Sequence, residues 1–210
     1  MPTLSSRLLV VTDRHQTNGR PLVPLLQQVV NAVAPAIQLR ERDLSARELV
    51  TLSHEVQAVT ASRGAQLLIN DRMDVALALE GVGVHLRNNS LPVSVARQLL
   101  GAQRLLGISV HTVEEAMQVE SQGADYIVLG PIYETPSKKM FGPPLGIHTL
   151  EKACRLVRIP IFGIGGVTAV RAHEMRRAGA FGVAVITAIL GAADVESATR
   201  ELLEAVTLVP

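Results

Sequence analysis

Short apolar runs recur along the chain, and between them apolar positions return at intervals of three and four. The first run, Leu8-Leu9-Val10-Val11-Thr12-Asp13, is partly β-branched and ends in polar residues, and residues 21–33 then carry helical spacing. Seven more strands are predicted at 36–40, 66–70, 82–86, 105–110, 125–129, 160–164 and 181–186. Helices are predicted in the intervals. Ser45 and Glu48 form a capping box for one that runs to about Ser62, with Gly64 past its end. Others begin at Met73, after Pro92, after Thr112 with Glu115 at the box position, and near Thr149. The last two span Thr168–Ala178 and residues 194–206.

Strands alternating with helices imply a parallel sheet. Eight such units imply an α/β fold of the (β/α)8 TIM-barrel type, one domain across residues 1–210. An open doubly wound sheet would need fewer strands and a glycine turn after the first strand rather than the seventh. One stretch breaks the alternation. Gly130 to Gly146 holds four prolines, three glycines and the pair Lys138-Lys139. A loop that long in a compact domain is functional or disordered more often than structural. It is expected to close over an anionic substrate.

Composition narrows the picture. Of 210 residues, 48% are hydrophobic but only 2% aromatic, so the core must be aliphatic, which suits parallel strands covered by helices. A net charge of +1 gives no reason to expect nucleic acid or a membrane surface as a partner. The single Cys154 excludes an internal disulfide framework. Met1–Arg7 lacks the order of a signal peptide and no apolar run reaches membrane-spanning length, so a cytoplasmic protein is expected. Pairing through the outer helices into a homodimer is also expected.

The chemistry of such a barrel lies at the carboxyl ends of its strands. Those ends are polar in an otherwise aliphatic chain. Gly163-Ile164-Gly165-Gly166 follows the seventh strand and Ile186-Thr187 the eighth, the usual phosphate position, although a ligand-free tight turn reads the same way. Gln38 and Arg40 share one face of the second strand, with Arg42 beyond, suiting either a doubly anionic ligand or salt bridges to Asp13, Glu41 or Asp71. Lys138 adds a cation from the loop, or is simply solvated together with Lys139. Asn70-Asp71 offers one carboxylate for Mg²⁺, or an N-cap for the helix from Met73. His111 and His85, at strand ends, are candidate acid/bases, and His111 could instead stabilise a helix start.

Together these residues resemble the thiamine phosphate synthase and TenI superfamily. The resemblance rests on Val11-Thr12-Asp13, Gln38-Leu39-Arg40, Ile69-Asn70-Asp71-Arg72, Gly107 to Thr112, Leu129 to Tyr133 with Thr135 to Lys138, and Gly163 to Gly166. It implies a barrel of thiamine biosynthesis. In the synthase branch, which joins a pyrimidine methyl diphosphate to a thiazole phosphate with Mg²⁺, Gln38, Arg40, Arg42, Asn70 and Lys138 would hold the diphosphate. Gly165, Gly166, Ile186 and Thr187 would hold the thiazole phosphate, Ser109 would touch the pyrimidine, and Asp71 would be one of two metal carboxylates. Thr135 and Ser137 would join Lys138 at the working tip of the loop. Two departures point to the TenI branch. Ser90 stands where synthases carry the second metal Asp, and the synthase Lys after Arg is replaced, so that Gln38-Leu39-Arg40-Glu41-Arg42 resembles the TenI version. A TenI-type thiazole tautomerase is therefore expected. It would aromatise a carboxythiazole phosphate with His111 moving the proton, Arg40 and Lys138 neutralising the carboxylate, and no required cofactor. A synthase using Mg²⁺ is the runner-up, and a non-catalytic ligand sensor the third reading.

Overall fold

The computed structural model describes residues 3–135 and 143–208. Eight parallel strands close into a barrel in sequence order: β1 (Leu8–Val11), β2 (Ala36–Leu39), β3 (Leu67–Asn70), β4 (Gly83–Leu86), β5 (Leu106–Val110), β6 (Tyr126–Leu129), β7 (Ile161–Ile164) and β8 (Gly182–Val185). β8 pairs back onto β1 through Leu9 and Ala184, so no strand edge is left open. Helices α1 (Leu22–Val33), α2 (Ala46–Ala61), α3 (Met73–Leu77), α4 (Val93–Leu100), α5 (Val113–Ser121), α6 (Ile147–Leu156), α7 (Ala169–Arg177) and α9 (Val195–Thr207) cover the outside, with a short α8 (Thr187–Leu190) after β8. The expected (β/α)8 barrel is the observed one.

Alternation along each strand sorts the aliphatic side chains into two cores. Leu8, Val10, Ile37, Leu39, Ile69, Val84, Ile108, Ile127 and Val183 pack outward under the helices. Leu9, Val11, Ala36, Leu68, Tyr126, Val128, Phe162 and Ala184 fill the barrel interior. The lower interior takes the few aromatic rings: Phe162 meets Tyr126 edge-on at 5.8 Å and Phe181 at 5.4 Å. Gly107 makes this possible, because a methyl group there would collide with the Tyr126 ring.

The predicted boundaries hold within two residues. Ser45 and Glu48 close a full capping box on α2, and Thr112 and Thr168 cap α5 and α7. Two elements were not predicted, a 3-10 turn at Arg14–Gln16 and the four-residue α8. Both are too short for a periodic signal.

Candidate active site

The inward rows of β2 to β5 end in a tier of uncharged polar groups. Gln38 of β2 donates through Nε2 to Asn70 Oδ1 of β3 at 2.9 Å. His85 of β4 lies 2.9 Å from Ser109 Oγ of β5 through Nε2, and 2.8 Å from the Tyr126 hydroxyl through Nδ1. Burial pushes the imidazole of His85 down to about 3, with the charge of Arg40 adding to the effect and that of Asp71 opposing it. His85 is therefore no acid/base at neutral pH, which removes it as a candidate.

Above this tier the same rows carry charge. Arg40 is largely buried, and its nearest carboxylate, Asp13, is 3.9 Å away. Its guanidinium is held below the usual range by burial first and then by the neighbouring charge of Arg42, with Arg87 acting the same way. Arg40 thus has no tight salt bridge, and the mouth is rich in cations. Glu41 points the other way. It is buried, accepts from Thr12 Oγ1 at 2.6 Å and from the Arg14 amide at 3.1 Å, and pairs with the Arg14 guanidinium. Thr12 in turn accepts from the Arg40 amide at 2.8 Å. Glu41 supports the rim rather than facing a ligand.

Asp71 does not cap α3. No side chain caps that helix, and Asp71 sits at φ 61° just past β3. Its Oδ2 accepts from Arg87 Nε at 2.6 Å and is ion-paired to the same guanidinium. Its Oδ1 is buried without a hydrogen-bond partner. Sequence reasoning missed Arg87, although it lies two residues beyond His85 on the same inward row. Ser90 closes a turn onto the Arg87 carbonyl at 3.1 Å. Among the described residues no group of three or more His, Cys, Asp or Glu side chains could hold a metal ion.

The other side of the mouth is backbone. Gly165 and Gly166 lie at φ 101° and 61°, and a Cβ would sit 2.7 Å from Pro131 Cβ at the first and 2.7 Å from the Glu134 carbonyl at the second. Arg171 donates to the Gly166 carbonyl at 2.8 Å, fixing the turn. Ile186 precedes α8, so the first-turn amides of a short helix, Thr187 first, stand beside the turn after β7 in chain topology. His111 is exposed, and its Nδ1 lies 2.6 Å from the Gly130 carbonyl. A carbonyl only accepts, so Nδ1 is the donor in this bond.

The loop is anchored at both described ends. Leu145 N donates to Pro131 O at 2.8 Å and Gly146 N to Ile132 O at 3.1 Å. Tyr133 donates to Glu174 at 2.5 Å under Arg171, and burial first, then that carboxylate, push its phenol up to about 12. Thr135 is half-buried, while Ser137 and Lys138 lie outside the described residues. At the opposite end of the barrel a cavity of about 280 Å³ is lined by Arg7, Cys154 and Arg176 among others. Arg7 and Arg176 there donate to the carbonyls of Phe181 and Val206, and burial pushes the Cys154 thiol up to about 11. That end closes the barrel, far from the chemistry-bearing strand ends.

The fold and mouth define a class: single-domain (β/α)8 barrels with a glycine turn and a short helix arranged after the seventh and eighth strands. Residues 8–189 match the family model described as thiamine monophosphate synthase, and the chain belongs to that family. It is 46% identical over 200 residues to the thiamine-phosphate synthase of Moorella thermoacetica, covering 95% of each chain. It is 44% identical to the thiamine-phosphate synthase of Roseiflexus castenholzii, covering 92% of this chain and 85% of that one. A solved structure of thiamine phosphate pyrophosphorylase from Pyrococcus furiosus superposes with a TM-score of 0.86 at 34% identity, covering 95% of both chains.

These relatives overturn the tautomerase expectation. All three carry synthase or pyrophosphorylase names, so the departures at Ser90 and within Gln38 to Arg42 are no ground for a tautomerase. The structural reason is plain for Glu41, which is a buried support for the rim. No helix among the described residues is long and apolar enough to cross a membrane.

Proposed function

We propose that this protein is a thiamine phosphate synthase, a transferase joining a pyrimidine methyl diphosphate to a thiazole phosphate with release of diphosphate. The observation that carries the reading is near-complete similarity, 46% over 95% of both chains, to a protein named for that activity. The mouth supports it. One side gathers guanidinium groups and the other a glycine turn with a helix start, so two anionic ends of a reacting pair can face each other across Ser109.

In this reading Gln38, Arg40, Arg42 and Asn70 hold the diphosphate, joined by Lys138 from the loop. Gly165, Gly166, Ile186 and Thr187 hold the thiazole phosphate, with Thr135 and Ser137 as further contacts supplied by the loop. The methylene carbon loses its bond to the diphosphate oxygen, which keeps the electron pair, and gains a bond to the thiazole nitrogen. Charge develops on the leaving diphosphate, and Arg40, already part-desolvated, meets it in a medium where attraction is stronger than in water. The attacking nitrogen carries no proton, so the step needs no general base. His111 then orients the loop root through Gly130 rather than moving a proton.

Mg²⁺, when bound, would neutralise diphosphate oxygens and so favour departure of the leaving group. Asp71 fits that ion, because its Oδ1 is buried and unpartnered while Oδ2 rests on Arg87. One carboxylate is a sparse site for a hard cation, and the ligand's own oxygens would complete it. The test is direct. Purified protein is incubated with both substrates and Mg²⁺, and thiamine phosphate and diphosphate are expected in equal amounts. Folded protein that forms neither from both substrates refutes the reading.

A further inference from the structure

Beneath the mouth three side chains form a buried line, Tyr126 to His85 to Ser109. Tyr126 is fully buried, and His85 Nδ1 is the one partner of its hydroxyl among the described residues. The His85 ring, also buried, reaches Ser109 Oγ through its other nitrogen. Ser109 is the one half-exposed residue of β5, at the edge of the mouth. The two ring nitrogens are thus committed to two hydroxyls, and the question is which way the protons run.

Three arrangements are open to the ring. If Nδ1 carried the proton, it would donate to the Tyr126 oxygen, and the phenolic proton would be sealed in the core with no acceptor. An imidazolium would do the same, since both its nitrogens donate. A buried donor left unpaired costs far more than a made bond contributes. Only one arrangement pairs every group: Tyr126 donates to Nδ1, Nε2 carries the proton and donates to Ser109 Oγ, and the serine proton is left over. That proton has one direction available, out into the mouth. Gly107 belongs to the same device, because its missing side chain is the space in which the Tyr126 ring lies.

We infer that Tyr126 and His85 are positioning residues that set Ser109 as a hydrogen-bond donor toward the ligand, so that the group recognised there is a lone-pair acceptor rather than an N–H. On the proposed synthase reading, on which only this identification rests, the acceptor is a ring nitrogen of the pyrimidine. A ring with a C–H at that place would leave the serine proton unpaired on binding.

The first test is independent of any substrate. In ¹⁵N-histidine-labelled protein, the His85 signals are assigned by their loss in His85→Gln. Their shifts are expected to show a neutral ring protonated at Nε2 at neutral pH. A proton on Nδ1, or an imidazolium, overturns the inference. The second test uses Tyr126→Phe, which removes only the hydroxyl. The expected result is a KM for the pyrimidine diphosphate raised roughly 3- to 10-fold, as for loss of one neutral hydrogen bond, with the KM for thiazole phosphate little changed and the protein still folded, its melting point lowered by the cost of leaving His85 Nδ1 buried without its donor. Equal rises in both KM values, or none in either, overturn the positioning role. If the ring is protonated at Nε2 but wild-type protein binds no pyrimidine diphosphate, the relay stands and the synthase reading falls.

Discussion

Replacing Gly107 with alanine adds a single methyl group to the inner face of β5. An ideal Cβ there falls inside the van der Waals envelope of Tyr126 Cζ, Cε1 and Oη. The ring has nowhere to retreat. Phe162 stands edge-on at 5.8 Å on one side, and the hydroxyl is fixed to His85 Nδ1 at 2.8 Å on another. Overpacking of this kind costs about 1–3 kcal/mol. Breaking the Tyr126–His85 bond with both groups still buried adds about 1–3 kcal/mol. The sum, about 2–6 kcal/mol, is a large part of the roughly 5–15 kcal/mol that holds a domain together. For a chain of this size it corresponds to a fall in Tm on the order of 10 °C. Scanning calorimetry and urea unfolding measure it. The reasoning also demands a rescue: Tyr126→Leu in the Gly107→Ala background should recover part of the loss, because the colliding ring is gone, whereas Tyr126→Phe should not. A Gly107→Ala protein that loses less than about 1 kcal/mol would refute the account, since packing at this depth leaves no gentler way to absorb the clash.

The remaining predictions concern the mouth and its support. Gly166→Ala forces a side chain at φ 61° into the Glu134 carbonyl and should raise the KM for thiazole phosphate about tenfold or more with little change for the pyrimidine substrate, roughly the loss of one or two anion-binding contacts; steady-state kinetics with each substrate varied decides it, and an unchanged thiazole KM removes the cradle role. Arg87→Gln releases Asp71 Oδ2, so Mg²⁺ should bind several-fold more tightly in the presence of diphosphate; calorimetric titration showing weaker or equal binding would mean that Arg87 does not compete with the cation. Asp125→Ala leaves the guanidinium of Arg97 and the Leu106 amide without their shared carboxylate, and urea unfolding should show a loss of about 3–5 kcal/mol. His85 is pushed from 6.5 to about 3 in the fold, so between those values the unfolded chain binds a proton that the native one does not. Stability should therefore fall as pH drops below about 6.5, by up to about 1.4 kcal/mol per unit, and His85→Gln should lack that slope.

The barrel was legible because its signal is repeated. Each strand is a short aliphatic run, each helix has a period, and eight repeats leave little freedom of topology. The rim was legible for the same reason: period two along β2 carries Gln38 and Arg40 inward together, as observed. Pairings across the barrel were not. Tyr126 and His85 are 41 residues apart, and only the register of β4, β5 and β6 brings them together. Arg87 continues the inward row of β4 past the strand end, but its partner Asp71 is 16 residues away across the β3–β4 connection, so the pairing could not be read, and Asp71 looked like a helix cap. The departure within Gln38 to Arg42 misled, because a residue at the rim either faces the ligand or, like Glu41, holds the wall, and only its partners tell which.

That distinction between facing and holding divides the whole mouth. The lower tier, Gln38, Asn70, His85 and Ser109, consists of uncharged groups whose bonds run sideways to one another, so each has its orientation set before a ligand arrives. The upper tier consists of cations: Arg40, whose nearest carboxylate is 3.9 Å away, Arg42 beside it, and Arg87, paired with Asp71. Charges strengthen attraction but discriminate poorly between phosphates, whereas fixed neutral donors and acceptors reject a ring that cannot pair with them. A barrel that takes two phosphorylated rings needs both properties at different depths. On the proposed synthase reading, anions are drawn by the rim and the rings are read by the floor. On this view substitutions in the floor should change which rings react, and substitutions in the rim should change how strongly any phosphorylated ligand is held.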